Sequence, residues 1–289
     1  MTNPKVVIVT GANRGIGLAI SNLLLSTPAA GPGPLKLFAT SRSGQHLGLA
    51  SVAPAARAQV VYPQLDISRH DSIEAFAGLV REQAGSVDVL INNAGVNLDF
   101  GGEYGYENAR RTLEVNYWGT VERESQMCRA FLPLLAKDAR IVNLSSTASS
   151  LKPYSEAIKT RFRNPKASFQ TLDALATEYL ASVKSHTEST SGFGPPQRSY
   201  SISKALLNAS TALLARENPG LTINACCPGW IATDMGRLVG SRTVDPPKTA
   251  EQGAKIPLRL AFGELGGVTG SYWGNDSIRE KGEGKVQEW

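Results

Sequence analysis

KVVIVTGANRGIG, residues 5–17, is the stretch whose reading decides the fold. KVVIVT (5–10) is a short apolar run without polar alternation, the pattern of a parallel strand buried on both faces. GIGLAISNLLLS then repeats its apolar residues at helical spacing. TGANRGIG (10–17) is the turn that joins them. Gly11 permits a sharp turn, Gly15 a close backbone approach to a pyrophosphate, and Gly17 tight packing of helix on strand. The free N–H groups and the dipole of the helix start favour an anion there. The spacing is GxxxGxG, not GxGxxG, and such a stretch by itself could be only a turn. Its place between strand and helix makes nucleotide binding the better reading.

Outward from this stretch, strands and helices alternate. Further strands are expected at LKLFAT (35–40), AQVVYP (58–63), VDVLI (87–91), ARIVNLS (139–145), LTINACC (221–227) and GSYWG (270–274). Helical patterns lie at DSIEAFAGLVREQ, in one long helix over ARRTLEVNYWGTVERESQMCRAFLPLLAK (109–137), and at SYSISKALLNASTALLARE. The alternation predicts an α/β fold: a doubly wound parallel sheet of about seven strands, with helices on both faces. PAAGPGPLK (28–36) reads as a Pro/Gly loop. Residues 150–199 form an insertion whose helix over 171–186 puts Leu172, Leu175, Ala176, Tyr179, Leu180 and Val183 on one face. No repeat or linker divides the chain, so residues 1–289 are expected to form one domain with a helical insertion at about 150–199.

Composition narrows the function classes. An apolar content of 42% in 289 residues allows a large core, and 19% charged residues argues against global disorder. The net charge of +5 is scattered, without a basic run or an aromatic-interleaved patch, so nucleic acid is not an expected partner. The three cysteines, Cys128, Cys226 and Cys227, include an adjacent pair and suggest a reduced setting. A chain opening directly on a strand, with no apolar stretch near twenty residues, suggests a cytoplasmic protein without a membrane span. His46, His70 and His186 lack ligand spacing, and no metal site is expected.

The second strand ends ATSRS (39–43), where NAD-binding folds commonly place an acidic residue against the ribose. Ser41 and Arg42 stand there instead, and Arg14 lies in the glycine turn nearby. Two guanidinium groups without a carboxylate suit a 2′-phosphate, and so NADP(H); solvated surface arginines are the alternative. Asp66 could bond an adenine amino group or cap the helix that follows, or both. In NNAG (92–95), Asn92 and Asn93 can brace strand ends, while Ala94 and Gly95 leave room for a flat cofactor; alone the motif is a turn signal. Tyr200 and Lys204 are four apart in a helical stretch, hence side by side. The ammonium could lower the phenol pKa and make Tyr200 a proton donor or acceptor; a surface pair is the bland alternative.

Taken in order, TGANRGIG, NNAG, Asn116, NLSS, Tyr200-Ser-Ile-Ser-Lys204 and CCPGW resemble the short-chain dehydrogenase/reductase family across nearly the whole chain. The long insertion, NACCPGW…TDM (224–235) and the VQEW stretch resemble its carbonyl reductase branch. The resemblance implies a Rossmann-type fold and an NADPH-dependent reductase of ketones, aldehydes or quinones. It implies a catalytic set of Asn116, Ser146, Tyr200 and Lys204. Tyr200 would be the general acid, with its phenol pKa lowered by Lys204, aided by the positive nicotinamide ring of the oxidised cofactor. Ser146, rather than its neighbour Ser145, would hold the substrate oxygen, and Asn116 would hold a water leading toward the lysine; a helix distortion or ordinary polar contact is the alternative for Asn116. Cofactor contacts are implied for Gly11, Asn13, Arg14, Gly15, Ile16 and Gly17 in the turn, and for Ser41 and Arg42. They extend to Asp66 and Ile67, to Asn93, Ala94 and Gly95, to Tyr200 and Lys204, and to Pro228, Gly229, Ile231 and Thr233. Trp230 could wall the substrate pocket or pack in the core, and Cys227 could line the pocket or be an inert buried thiol. Family members that dimerise pair the Asn116 and Tyr200 helices with those of a second copy; an insertion covering that face would leave a monomer, whereas one folding as a lid would not. An alcohol dehydrogenase of a biosynthetic pathway and a redox sensor without chemistry are the rival readings.

Overall fold

The structure is a computed structural model and describes residues 3–27, 33–49, 58–100, 104–121, 127–239 and 244–289. Its frame is one eight-stranded sheet of order β3-β2-β1-β4-β5-β6-β7-β8. The strands are β1 (Lys5–Val9), β2 (Leu35–Ala39), β3 (Ala58–Val61), β4 (Val87–Asn92), β5 (Leu135–Leu144), β6 (Thr222–Cys226), β7 (Tyr272–Gly274) and β8 (Lys285–Val286). All pairings are parallel except that of β7 with β8. The strand order reverses between β1 and β4, the place where open α/β sheets bind ligands.

The unbroken apolar runs follow from burial on two faces. Val6 and Ile8 enter one core with α2 (His70–Ala84), α3 (Tyr106–Leu113) and α4 (Met127–Phe131). Val7 and Val9 enter the other with α1 (Gly15–Ser26). The first core also holds α5 (Glu156–Phe162), α6 (Phe169–Ser185) and α7 (Ser199–Glu217). The second holds α9 (Ala250–Phe262), while the short α8 (Asp234–Leu238) buries no residue. Register aligns the strand ends: Val9 stands beside Ala39 and Ile91, Asn92 beside Asn143, and Leu144 beside Cys226. The loops that follow these residues therefore open on one edge.

Four expectations are corrected. The sheet has eight strands, because exposed Lys285–Val286 is too short to leave an apolar signature. Strand β5 begins at Leu135, where a register shift between Val87 and Val89 lets it pair earlier with β4. The long helix over 109–137 is broken. After α3, residues Glu114–Trp118 form a π-turn closed by the Gly119 N–H on the Glu114 carbonyl at 2.7 Å. Beyond α4, Leu132–Leu134 tighten into a 3₁₀ turn around Pro133. Residues 122–126 of that stretch, and 28–32 of the expected Pro/Gly loop, lie outside the described residues. The insertion carries two helices, and α6 starts at Phe169 because Ser168 and Thr171 form a capping box.

The six residues expected on the apolar face of α6 are all buried. That face packs on α3 and α7. The Trp118 indole N–H donates to Asp173 of α6, which fastens the insertion to the π-turn.

Candidate active site

The glycine turn and the β4 end are built as one unit. Thr10 Oγ1 accepts from the N–H groups of Asn93 (3.0 Å) and Ala94 (2.9 Å). The Asn93 amide donates to the carbonyls of Thr10 (2.8 Å) and Gly11 (3.1 Å). Gly11 and Gly15 have φ of 65° and 56°, the left-handed region that favours glycine. A Cβ on Gly17 would stand 2.4 Å from the Gly11 carbonyl oxygen, so helix and turn touch where the sequence requires it. The first turn of α1 has neither an acidic residue nor a side-chain cap. Its N–H donors and dipole are left to an anion approaching past Asn13, Gly15 and Ile16, which suits the pyrophosphate of a dinucleotide.

At the β2 end, Ser41 is buried and its hydroxyl accepts from the Gly44 N–H at 3.1 Å, so it shapes the turn. Arg42 is exposed beside it, and no carboxylate follows in the turn. Arg14 is ion-paired with Asp234 at 2.9 Å. The expectation of two guanidinium groups without a nearby carboxylate is therefore corrected for Arg14. Asp66 accepts from the Ser68 N–H (3.0 Å) and hydroxyl (2.7 Å). It turns the chain ahead of α2 but does not cap it, since the cap position is Arg69. Ile67 is buried behind Gly119.

Asn92 bridges strand ends as its motif predicts, donating to Asn143 at 2.9 Å. Asn116, on the π-turn, clamps the next loop: its carbonyl accepts from the Val96 N–H (2.8 Å) and its amide donates to the Val96 carbonyl (2.7 Å). The same amide donates to Ser203 Oγ at 3.0 Å. A Cβ on Gly95 would meet Asn116 Oδ1 at 3.1 Å and Lys204 Nζ at 3.6 Å, so the glycine lets this turn sit close on both.

Helix α7 delivers Tyr200 and Lys204, and the end of β5 delivers the serines. Ser146 lies beside the Tyr200 phenol and its Oγ accepts from the Ala148 N–H at 3.1 Å, while Ser145 Oγ turns to the Lys204 carbonyl at 3.4 Å. Burial pushes the Tyr200 phenol well above the usual tyrosine range; Cys227 adds to the shift and the neighbouring Ser146 opposes it. Lys204 is not among the groups that shift the phenol here; the expectation couples it to the positive ring of an oxidised cofactor. Its ammonium lies 5.6 Å from the centre of the tyrosine ring and donates to the Leu144 carbonyl at 2.7 Å. Burial lowers the Lys204 pKa to about 8, against Cys226 and Cys227, which raise it.

The segment after β6 closes the far side. Gly229, at φ 98°, passes over Lys248, whose buried ammonium donates to the Pro228 carbonyl at 2.7 Å. Ile231 is buried and bridges to Lys248. Thr233 caps α8 and lies against Gly15, so this segment reaches back to the glycine turn. Trp230 is half-buried; its indole donates to the Gly236 carbonyl at 2.8 Å and stacks under Arg279. It belongs to the loop rather than to the core. Cys227 is buried, with Sγ accepting from the Gly229 N–H at 3.3 Å. Two residues at this site carry no sequence signal, Lys248 and Asp99. The buried Asp99 accepts from the backbone of Ser199 and Tyr200, a hundred residues along the chain. Among the described residues no His/Cys/Asp/Glu cluster could hold a metal, and no helix is long and apolar enough to cross a membrane.

The family model for short chain dehydrogenases matches residues 5–158. The chain is 33% identical to carbonyl reductase (NADPH) 3 of Rattus norvegicus, covering 89% of this chain and 91% of the relative. It is 32% identical to (+)-neomenthol dehydrogenase of Arabidopsis thaliana, over 90% and 92%. Among solved structures, salutaridine reductase from Papaver somniferum superposes with a TM-score of 0.77 at 26% identity, covering 93% of this chain and 99% of that one. With the reversed strand order, the glycine turn and the Ser146–Tyr200–Lys204 grouping already in place, these matches make the chain a member of the short-chain dehydrogenase family of oxidoreductases.

Proposed function

We propose that the protein is an NADPH-dependent carbonyl reductase acting on ketones, aldehydes or quinones, with Tyr200 as proton donor. The observation that carries this reading is the grouping of Ser146, at the end of β5, beside the Tyr200 phenol, with Lys204 one helical turn on and anchored on the same strand end. The carbonyl reductase and neomenthol dehydrogenase relatives support the reaction class. Gly11, Asn13, Gly15, Ile16 and Gly17 would hold the pyrophosphate, and Arg42 with Arg14 a 2′-phosphate. Asp66, Ile67, Asn93, Ala94 and Gly95 would flank the adenosine and ribose. Pro228, Gly229, Ile231 and Thr233 would border the nicotinamide end.

When bound, NADPH supplies the hydride. Ser146 donates a hydrogen bond to the carbonyl oxygen as negative charge gathers there. Tyr200 gives that oxygen its proton. A phenol pushed above its usual pKa holds this proton at neutral pH, which suits the reductive direction. The phenolate left behind is buried and costly, and Lys204, aided by the positive ring of the oxidised cofactor, would offset that cost. Asn116 is better supported as the clamp of loop and helix than as a water holder, since both ends of its amide are engaged by protein.

The neomenthol dehydrogenase relative favours a second reading, a secondary alcohol dehydrogenase working oxidatively through the same residues. Incubation with NADPH and a panel of carbonyl compounds, beside NADP⁺ and the matching alcohols, tests both. Reduction faster than oxidation at neutral pH supports the first reading; turnover in neither direction sinks both. We further propose that residues 1–289 form one domain and that the chain is a cytoplasmic monomer without nucleic-acid or membrane partners. The placement of α6 over α3 and α7, and three free buried thiols, support this.

A further inference from the structure

We propose that Asp99 is a positioning residue for Tyr200: its buried carboxylate grips the first turn of α7 and sets where the phenol stands. The inference rests on the reading of Tyr200 as proton donor. Tyr200 is the second residue of its helix. The first N–H groups of a helix have no partner inside it, and an end without partners frays. Arg198, at the cap position, supplies no side-chain acceptor. Asp99 does this work from the loop after β4. Its Oδ1 accepts from the Ser199 N–H at 3.2 Å and from the Ser199 hydroxyl, and its Oδ2 accepts from the Tyr200 N–H at 2.8 Å.

Using both oxygens fixes the carboxylate plane, and with it the rotation of the turn. Asp99 is only 4% exposed. A charge so buried is costly unless it is compensated, and here the compensation is three donors and the positive end of the helix dipole. The loop that carries it is itself held. The Asp99 N–H donates to Asn97 Oδ1 at 3.2 Å, and Asn116 clamps Val96. The other side of Tyr200 is held by the same residues. Its carbonyl accepts from Ser203 Oγ at 2.7 Å, and that oxygen accepts from the Asn116 amide. Both peptide groups of Tyr200 are thus tied to the loop that also carries Gly95. The proton donor and the Asn93–Gly95 turn proposed to flank the cofactor share one support. A misplacement of about 1 Å at such a group can cost about a hundredfold in rate.

Asp99→Asn keeps the shape but turns an N–H₂ group toward the helix donors. A double-mutant cycle tests the proposal, using Asp99→Asn, Tyr200→Phe and the double variant, with kcat for carbonyl reduction and the NADPH dissociation constant measured for each. Asp99→Asn is expected to lower kcat by about tenfold to a hundredfold. NADPH affinity should stay within about twofold, and the same change should add no further loss in the Tyr200→Phe background, because a misplaced phenol matters only while there is a phenol. Equal losses in both backgrounds, an unchanged kcat, or a fall in NADPH affinity that tracks kcat would each overturn the proposal. A Tyr200→Phe protein as active as the parent would instead overturn the proton-donor reading. If Asp99→Asn does not fold, Ser199→Ala removes one of the three donors and leaves both backbone bonds. A kcat several-fold lower with the NADPH constant unchanged then supports the proposal, and an unchanged kcat counts against it.

Discussion

The Lys204 ammonium is anchored on the Leu144 carbonyl at 2.7 Å, two residues before Ser146, so the buried cation of the site is fixed to the same strand end as the hydroxyl beside the phenol. This predicts a pH profile. Burial lowers the Lys204 pKa to about 8, so its charge is lost as pH rises through that value. Tyr200, shifted upward, keeps its proton over the same range. The kcat/KM for carbonyl reduction should therefore decline above about pH 8. Stability should run the other way: folding disfavours charged Lys204, so the folded state gains from about pH 8 toward the unfolded lysine value of about 10.4. A rate that stays flat through this window would show that the ammonium is not needed.

Gly17→Ala tests the cofactor turn. Its Cβ would press on the Gly11 carbonyl oxygen at 2.4 Å and on the Asn93 amide at 2.5 Å. Overpacking of this kind costs about 1–3 kcal/mol. The variant should melt earlier and lose NADPH binding. A normal dissociation constant in a folded variant would contradict the placement of the dinucleotide.

Cofactor choice is predicted from Arg42 and from the Arg14–Asp234 pair. Arg42→Asp should erode or invert the preference for NADPH over NADH in kcat/KM. Asp234→Asn frees Arg14 and should tighten NADPH binding several-fold while leaving NADH unchanged; the gain is small because the pair is exposed. An unmodified protein that uses both cofactors equally well would refute the assignment.

Assembly follows from α6. Its apolar face is spent on α3 and α7, so little remains there for a second copy. Light scattering at micromolar concentration should give a mass near 30.8 kDa. A stable mass of twice that value would mean that another face pairs.

The fold was legible because its signals are local. Apolar runs mark β1 to β6, and α7 was bounded at Ser199–Glu217 by its own pattern. The apolar face of α6 was legible residue by residue. What the sequence did not announce depends on contacts between distant segments. The π-turn around Asn116 looks like continuous helix in periodicity, and it closes at Gly119, where a Cβ would stand 2.5 Å from the Ile67 carbonyl oxygen of a distant segment. Asp99 and Lys248 act through loops brought together by register, so no spacing rule points to them. The upward shift of Tyr200 has a related origin. A helical offset of four places the lysine beside the ring, but burial and Cys227 are properties of the folded interior.

The most direct test of the central claim is the initial rate of NADPH oxidation by Tyr200→Phe with a simple diketone, set beside its NADPH dissociation constant. The account predicts a loss of about two to four decades in kcat with cofactor binding intact, the range for a positioned acid–base group. Near-parental turnover by this variant would contradict it.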